Sequence, residues 1–119
     1  MLKRIGRTIW LSQGDTGALV LRVRSQGYAF ADGDKAVFTV RTPKGRLVME
    51  RCADIEADGR AVVPFLNADT EGAAAGNYRW DVRIVLGAET ADGRITGGRA
   101  VITPLPPGVF RIVETVGRV

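Results

Sequence analysis

The stretch Gly76-Asn77-Tyr78-Arg79-Trp80-Asp81-Val82-Arg83-Ile84-Val85-Leu86 decides the fold. Tyr78, Trp80, Val82, Ile84 and Leu86 recur at every second position, with Arg79, Asp81 and Arg83 between them. Successive side chains of a β-strand point to opposite faces, so this alternation specifies a strand with one buried and one solvated face. The approach to it, Asp69-Thr70-Glu71-Gly72-Ala73-Ala74-Ala75, is rich in small and turn-forming residues. A single helical turn fits residues 69–71, capped by Asp69 and stopped by Gly72.

Working outward, the same period recurs on both sides. Residues 7–11 and 18–23 read as strands, the second with Leu19, Leu21 and Val23 on one face, and Gln13-Gly14-Asp15-Thr16-Gly17 breaks between them. Residues 35–42 place Ala36, Phe38 and Val40 together, and Thr42-Pro43-Lys44-Gly45 then turns the chain into an antiparallel return over 46–52. Asp32-Gly33, Asp58-Gly59 and Asp92-Gly93 mark further turns. Residues 61–66 contain Pro64, which cannot donate to a ladder, so this strand belongs at an edge or a bulge. Residues 94–96 and 99–103 flank Gly97-Gly98. About seven or eight short strands with regular turns and no helix-period segment predict an all-β, antiparallel β-sandwich over residues 1–103.

At Pro104-Leu105-Pro106-Pro107-Gly108 the strand pattern stops, because prolines cannot sit inside a sheet. A strand-like segment follows, so residues 104–119 read as a Pro-rich hinge and a C-terminal arm. Val109, Phe110, Ile112 and Val113 are its candidate interface, since such residues are costly to leave in water. Two destinations are open: a last strand of the same domain, or an arm that pairs with another subunit.

The chain has 119 residues, 45% of them hydrophobic and 25% charged, enough for one domain with its own core. No apolar run is long enough to cross a bilayer as a helix. The basic start, Lys3-Arg4-Ile5-Gly6-Arg7, is followed by Ser12-Gln13-Gly14-Asp15 rather than by the apolar stretch of a secretion signal. Synthesis in the cytoplasm without secretory export is the expectation, with no membrane partner. The net charge of +4 is spread along strand faces rather than gathered in a patch, which argues against nucleic acid as a partner.

Chemistry is sparse. With no histidine and one cysteine, Cys52, the chain holds no Cys-His or Ser-His pair and no internal disulfide. Cys52 reads as a small semi-buried strand residue. Asp32 and Asp34 flank Gly33, but the oxygen ligands of a calcium loop do not continue past Lys35. Neither a phosphate loop nor a catalytic carboxylate pair stands out, so the expectation is no enzyme, no cofactor and no metal. Asp81 reads as an ion-pair partner of Arg79 or Arg83 on the solvated face. Tyr78 reads as a "tyrosine corner", two residues before the core residue Trp80, with its ring in the core and its hydroxyl bonded to backbone at 67–70.

Four segments in order carry a family likeness: Ile9-Trp10-Leu11-Ser12-Gln13-Gly14-Asp15-Thr16-Gly17, Gly33-Asp34-Lys35-Ala36-Val37-Phe38-Thr39-Val40, Asp58-Gly59-Arg60-Ala61-Val62-Val63, and Asp69-Thr70 with Gly76-Asn77-Tyr78-Arg79-Trp80-Asp81-Val82-Arg83. Over residues 7–103 the chain resembles the N-terminal immunoglobulin-like domain of the baseplate upper protein of tailed phages. The motif residues are Gln13, Gly14, Asp15, Thr16, Gly76, Tyr78, Trp80 and Asp81. The resemblance implies an immunoglobulin-like sandwich and a non-enzymatic adaptor role in a phage or prophage tail or baseplate. Its partners would be other tail or baseplate proteins, or copies of itself through the arm. The alternative is a carbohydrate- or surface-binding module, for which Trp10 and Tyr28 are the aromatics left to build a platform.

Overall fold

The structure, a computed structural model, describes residues 2–22, 30, 33–92, 94–98, 100–102 and 108–114. It is all-β apart from one helical turn. The strands are β1 (Leu2–Ile5), β2 (Thr8–Ser12), β3 (Gly17–Arg22), β4 (Lys35–Arg41), β5 (Leu47–Asp54) and β6 (Arg60–Phe65). After α1 (Asn67–Glu71) come β7 (Gly76–Leu86), β8 (Glu89–Ala91), β9 (Arg94–Gly97), β10 (Ala100–Ile102) and β11 (Gly108–Val113). The large sheet runs β1-β2-β11-β7-β4-β5. Strand β7 pairs along one side with β4, and along the other with β11 at residues 76–80 and β10 at residues 84–86. The β3–β6 pair and the β8–β9 hairpin form two small sheets.

Alternation builds the core. From the large sheet, Ile9, Leu11, Ala36, Phe38, Val40, Trp80, Val82, Ile84, Phe110 and Ile112 all turn inward and are 0–2% exposed. From β3 and β6, Leu19, Leu21, Ala61, Val63 and Phe65 join the same cluster. Phe65 meets Phe38 and Phe110 edge-on, with ring centroids 5.6 and 5.8 Å apart. The small sheet thus closes over the middle of the large one. Pro64 sits on β6 opposite Ala18, and among the described residues β6 pairs only with β3, as a ladder-breaking residue requires. The Thr42-Pro43-Lys44-Gly45 turn is closed by Gly45 N–H to Thr42 O at 2.8 Å, with Gly45 at φ +93°.

One expectation changes, and one open alternative is decided. The large sheet is mixed, not antiparallel, because β2 and β11 pair in parallel, Val109 opposite Thr8 through Val113 opposite Ser12. Their connection is the whole intervening chain, long enough for a parallel pair. Of the two destinations left open, the strand-like segment takes the first: it is β11, inserted between β2 and β7 of the same sheet. Of the candidate interface residues, Phe110 and Ile112 are core residues, 0% and 1% exposed, and the strands on both sides of residue 103 share one sheet. The two burials are together worth several kcal/mol, at about 1.5–3 kcal/mol each, which favours this destination. Val109 and Val113 face outward, Val109 exposed and Val113 half-buried. The expected hinge at 104–107, Val23, Tyr28, Asp32, Gly93, Arg99, Thr103, Arg118 and residues 115–119 lie outside the described residues.

Among the described residues, no helix is long and apolar enough to cross a membrane. Asp69 is not the helix cap. It stands three residues into the turn, and its carboxylate reaches back to Leu66 N–H at 2.7 Å while pairing with Arg51 of β5.

Candidate functional site

The motif residues assemble a structural corner. Gln13 donates its backbone N–H to Val113 O (2.8 Å) and its side-chain amide to Ala73 O. Gly14 N–H donates to Thr70 Oγ1 at 2.9 Å, and Asn67 Nδ2 donates to Gly14 O at 2.8 Å. Asp15 N–H returns to Ser12 O at 3.0 Å, and Thr16 is exposed. The Gln-Gly-Asp-Thr turn is thereby bolted to α1 and to the end of β11. Gly14, at φ +78°, occupies a left-handed conformation that suits glycine.

Tyr78 and Trp80 serve the same corner. The Tyr78 hydroxyl donates to Ala74 O at 2.6 Å, four residues upstream rather than at 67–70, and its ring is half-buried against the core. Trp80 stacks on Phe38 at 5.6 Å and donates Nε1–H to Arg7 O at 2.9 Å. Arg7 O also accepts Val109 N–H at 3.1 Å. A Cβ on Gly108 would stand 2.2 Å from Arg7 O and 2.4 Å from Trp80 Nε1, so this crossing needs glycine. Gly76 opens β7 opposite Ile112. Asp34 is likewise structural: buried, it accepts Gly87 N–H at 2.8 Å through Oδ1.

The other face of the large sheet is of a different character. Register places Lys3, Trp10, Arg111 and Asn77 in one row across β1, β2, β11 and β7. Lys3 Nζ lies 5.7 Å and the Arg111 guanidinium 5.9 Å from the Trp10 ring centroid, a cation–π arrangement. Arg111 Nε also donates to Asn77 Oδ1 at 2.8 Å. The next row crosses the whole sheet: Ile5, Thr8, Val109, Arg79, Arg41, Leu47. Within it Ile5, Leu47 and Val109 are 59%, 49% and 38% exposed. A third row holds Asp81, Thr39 and Glu50, and a fourth Arg83, Val37 and Cys52.

Two clefts open on this face. One of about 150 Å³ lies where β4 and β7 meet the β4–β5 turn, lined by Thr39, Arg41, Pro43, Arg79 and Asp81. The expected Asp81 ion pair is not formed: Asp81 Oδ1 is buried without a hydrogen-bond partner, as is Thr39 Oγ1 opposite it. The second, about 260 Å³, lies under β9 and is lined by Val37, Cys52, Arg83, Val85, Ile95 and Gly98. Cys52 is exposed on the edge strand β5 rather than semi-buried, yet desolvation still pushes its thiol pKa up, which keeps it in the less nucleophilic protonated form. Beside it Lys35 pairs with Asp54, and that hydrogen bond raises the lysine's pKa.

The sequence marked Asp81 but not Thr39 or Arg41. Both occupy outward positions of β4, alongside Lys35 and Val37, but only register brings them to Asp81 and Arg79. Comparison with family models, curated proteins and solved structures finds no match to this chain.

Proposed function

We propose that the chain is a non-enzymatic assembly domain of a phage or prophage tail or baseplate, built as an immunoglobulin-like sandwich, that docks protein partners on the outer face of its large sheet. The strand order supports the immunoglobulin-like reading. Strands β5-β4-β7 followed by β10 and β11 correspond to C′-C-F-G of a variable-type domain, and β3 with β6 to B and E. Tyr78 supplies the matching corner: it lies at the start of the F-like strand, bonded back to Ala74.

The single observation that carries the docking role is the composition of the outer rows. An aromatic residue, three arginines and three exposed aliphatics stand in two adjacent rows of the outer sheet face. Trp and Arg are the residues that dominate binding energy at protein interfaces, and exposed aliphatics beside them supply desolvation. Glycan binding is less well supported. Stacking a sugar needs an open ring face, and Trp10 already carries Lys3 and Arg111 against its ring.

The test is fractionation. Tails or virions from the induced source strain, banded on a gradient and probed with antibody to this chain, should carry it through a moderate-salt wash. Signal confined to the soluble fractions would remove the baseplate role.

A further inference from the structure

We propose that the cleft between Arg41 and Arg79 receives a carboxylate side chain from an extended acidic segment of the docking partner. The inference rests on the outer face being the docking surface.

Arg41 and Arg79 are direct register partners on β4 and β7, and both line the cleft. Like charges placed opposite one another on a sheet repel. Arg41 spends one N–H on Gly45 O at 3.1 Å, and among the described residues Arg79 has no ion pair. The site therefore holds guanidinium donors that a bound anion would reconcile.

Thr39 gives the second, independent sign. It is 2% exposed, lines the cleft, and its Oγ1 is buried without a partner. A buried hydroxyl left unpaired destabilises the free protein, and a valine of nearly the same shape would fit a β-strand better. Such a residue makes sense where a ligand completes the bonding. Here the hydroxyl is placed to donate to the same carboxylate as the arginines.

Asp81 narrows the ligand further. Its Oδ1, also buried and unpaired, needs a donor beside the anion. A phosphate group would bring up to about two negative charges beside Asp81, against one for a carboxylate, and so be repelled more strongly. A neutral sugar would donate to Asp81 but leave the two guanidinium groups uncompensated. A peptide carries both functions: the acidic side chain lies between the arginines, and an adjacent backbone N–H points to Asp81. The planar carboxylate also matches the guanidinium fork. At about 150 Å³ the cleft has room for roughly five water-sized groups, enough for a side-chain head group and a little backbone.

The experiment uses the full chain, isotope-labelled, with four probes: a capped Gly/Ser peptide with a central Glu, the same peptide with Gln, the same with phosphoserine, and a neutral maltooligosaccharide. Amide shifts of Thr39, Arg41, Arg79 and Asp81 report binding. The Glu peptide should saturate these shifts, with the Gln peptide about tenfold weaker or more, as expected for loss of charge-assisted hydrogen bonds. Thr39→Val and Arg79→Gln should each weaken the Glu peptide by about tenfold, while Thr39→Val keeps or raises the denaturation midpoint. Equal binding of the Glu and Gln peptides, no saturable shift with the Glu peptide, unchanged binding by Thr39→Val, or a response to phosphoserine or the oligosaccharide alone would each overturn the proposal. Peptide binding without co-banding of the chain with tails would keep the acidic-segment site and remove the baseplate role. Co-banding without peptide binding would do the reverse.

Discussion

The two faces of β7 differ more than any other two regions of the molecule. On the inner face Trp80, Val82 and Ile84 are buried, and the polar groups there are paired, Trp80 Nε1–H with Arg7 O and the Tyr78 hydroxyl with Ala74 O. On the outer face Arg79 stands opposite Arg41, and Asp81 and Thr39 each bury an oxygen without a partner. A fold selected for its own stability alone would treat both faces alike, since unpaired buried polar groups cost free energy wherever they lie. The inner face is finished within the chain. The outer face is not, and under the docking proposal a bound partner completes it.

The comparison predicts a gradient of mutational effects, large inside and small or inverted outside. Phe110→Ala should destabilise most, by about 3–5 kcal/mol, the usual range for a buried aromatic replaced by alanine, read as a fall in the urea midpoint. A midpoint within error of the parent would mean that β11 is not part of the core. Gly108→Ala should cost about 1–3 kcal/mol or more, as overpacking against backbone does, because its Cβ would meet Arg7 O and Trp80. Tyr78→Phe should cost about 0.5–1.5 kcal/mol for the lost bond to Ala74 O. If thermal and chemical denaturation both leave Tyr78→Phe unchanged, the corner is not a stabilising element.

The outer-face changes come next. Thr39→Val should change stability by no more than about 0.5 kcal/mol downward, or raise it, because it removes an unpaired hydroxyl. A clear loss would show that the hydroxyl is satisfied in solution and would weaken the contrast between the faces. The smallest effect belongs to Lys35, whose pair with Asp54 is largely exposed and worth under about 1 kcal/mol. Its pKa is raised on folding, so the pair's contribution is complete below the ordinary lysine value of 10.5 and fades as pH rises through the higher folded value. Lys35→Met should therefore differ from the parent slightly at neutral pH and less still in strong alkali.

Much of this was legible from alternation, and the remainder depended on pairing. Strands β3, β4, β6 and β7 were readable because apolar residues recur at every second position on the face that meets the core, even though Val20, Val37 and Val62 lie on the other face. Strand β1 was not, since Lys3, Arg4 and Ile5 are exposed and the strand exists through its pairing with β2 across the Gly6 turn. The segment at 109–113 announced a strand but not its neighbours, which are fixed by Phe110 and Ile112 filling the gap between β2 and β7. Asp69 looked like a helix cap because its side chain suits that role, but the turn starts at Asn67 and leaves it three residues in. The cleft was least legible. Thr39 and Asp81 are distant in sequence, and an ordinary threonine in a strand acquires meaning only when register sets it against a carboxylate and two arginines.

The central claim is that the outer face of the large sheet carries the partner. It is tested most directly by placing a photo-crosslinking amino acid at Trp10 on that face, and in parallel at Val20, exposed on the outer face of β3. The labelled chains are expressed in the source strain and irradiated within gradient-banded tails. The account predicts an adduct with a second polypeptide from position 10 and none from position 20. An adduct from position 20 with none from position 10 would contradict it.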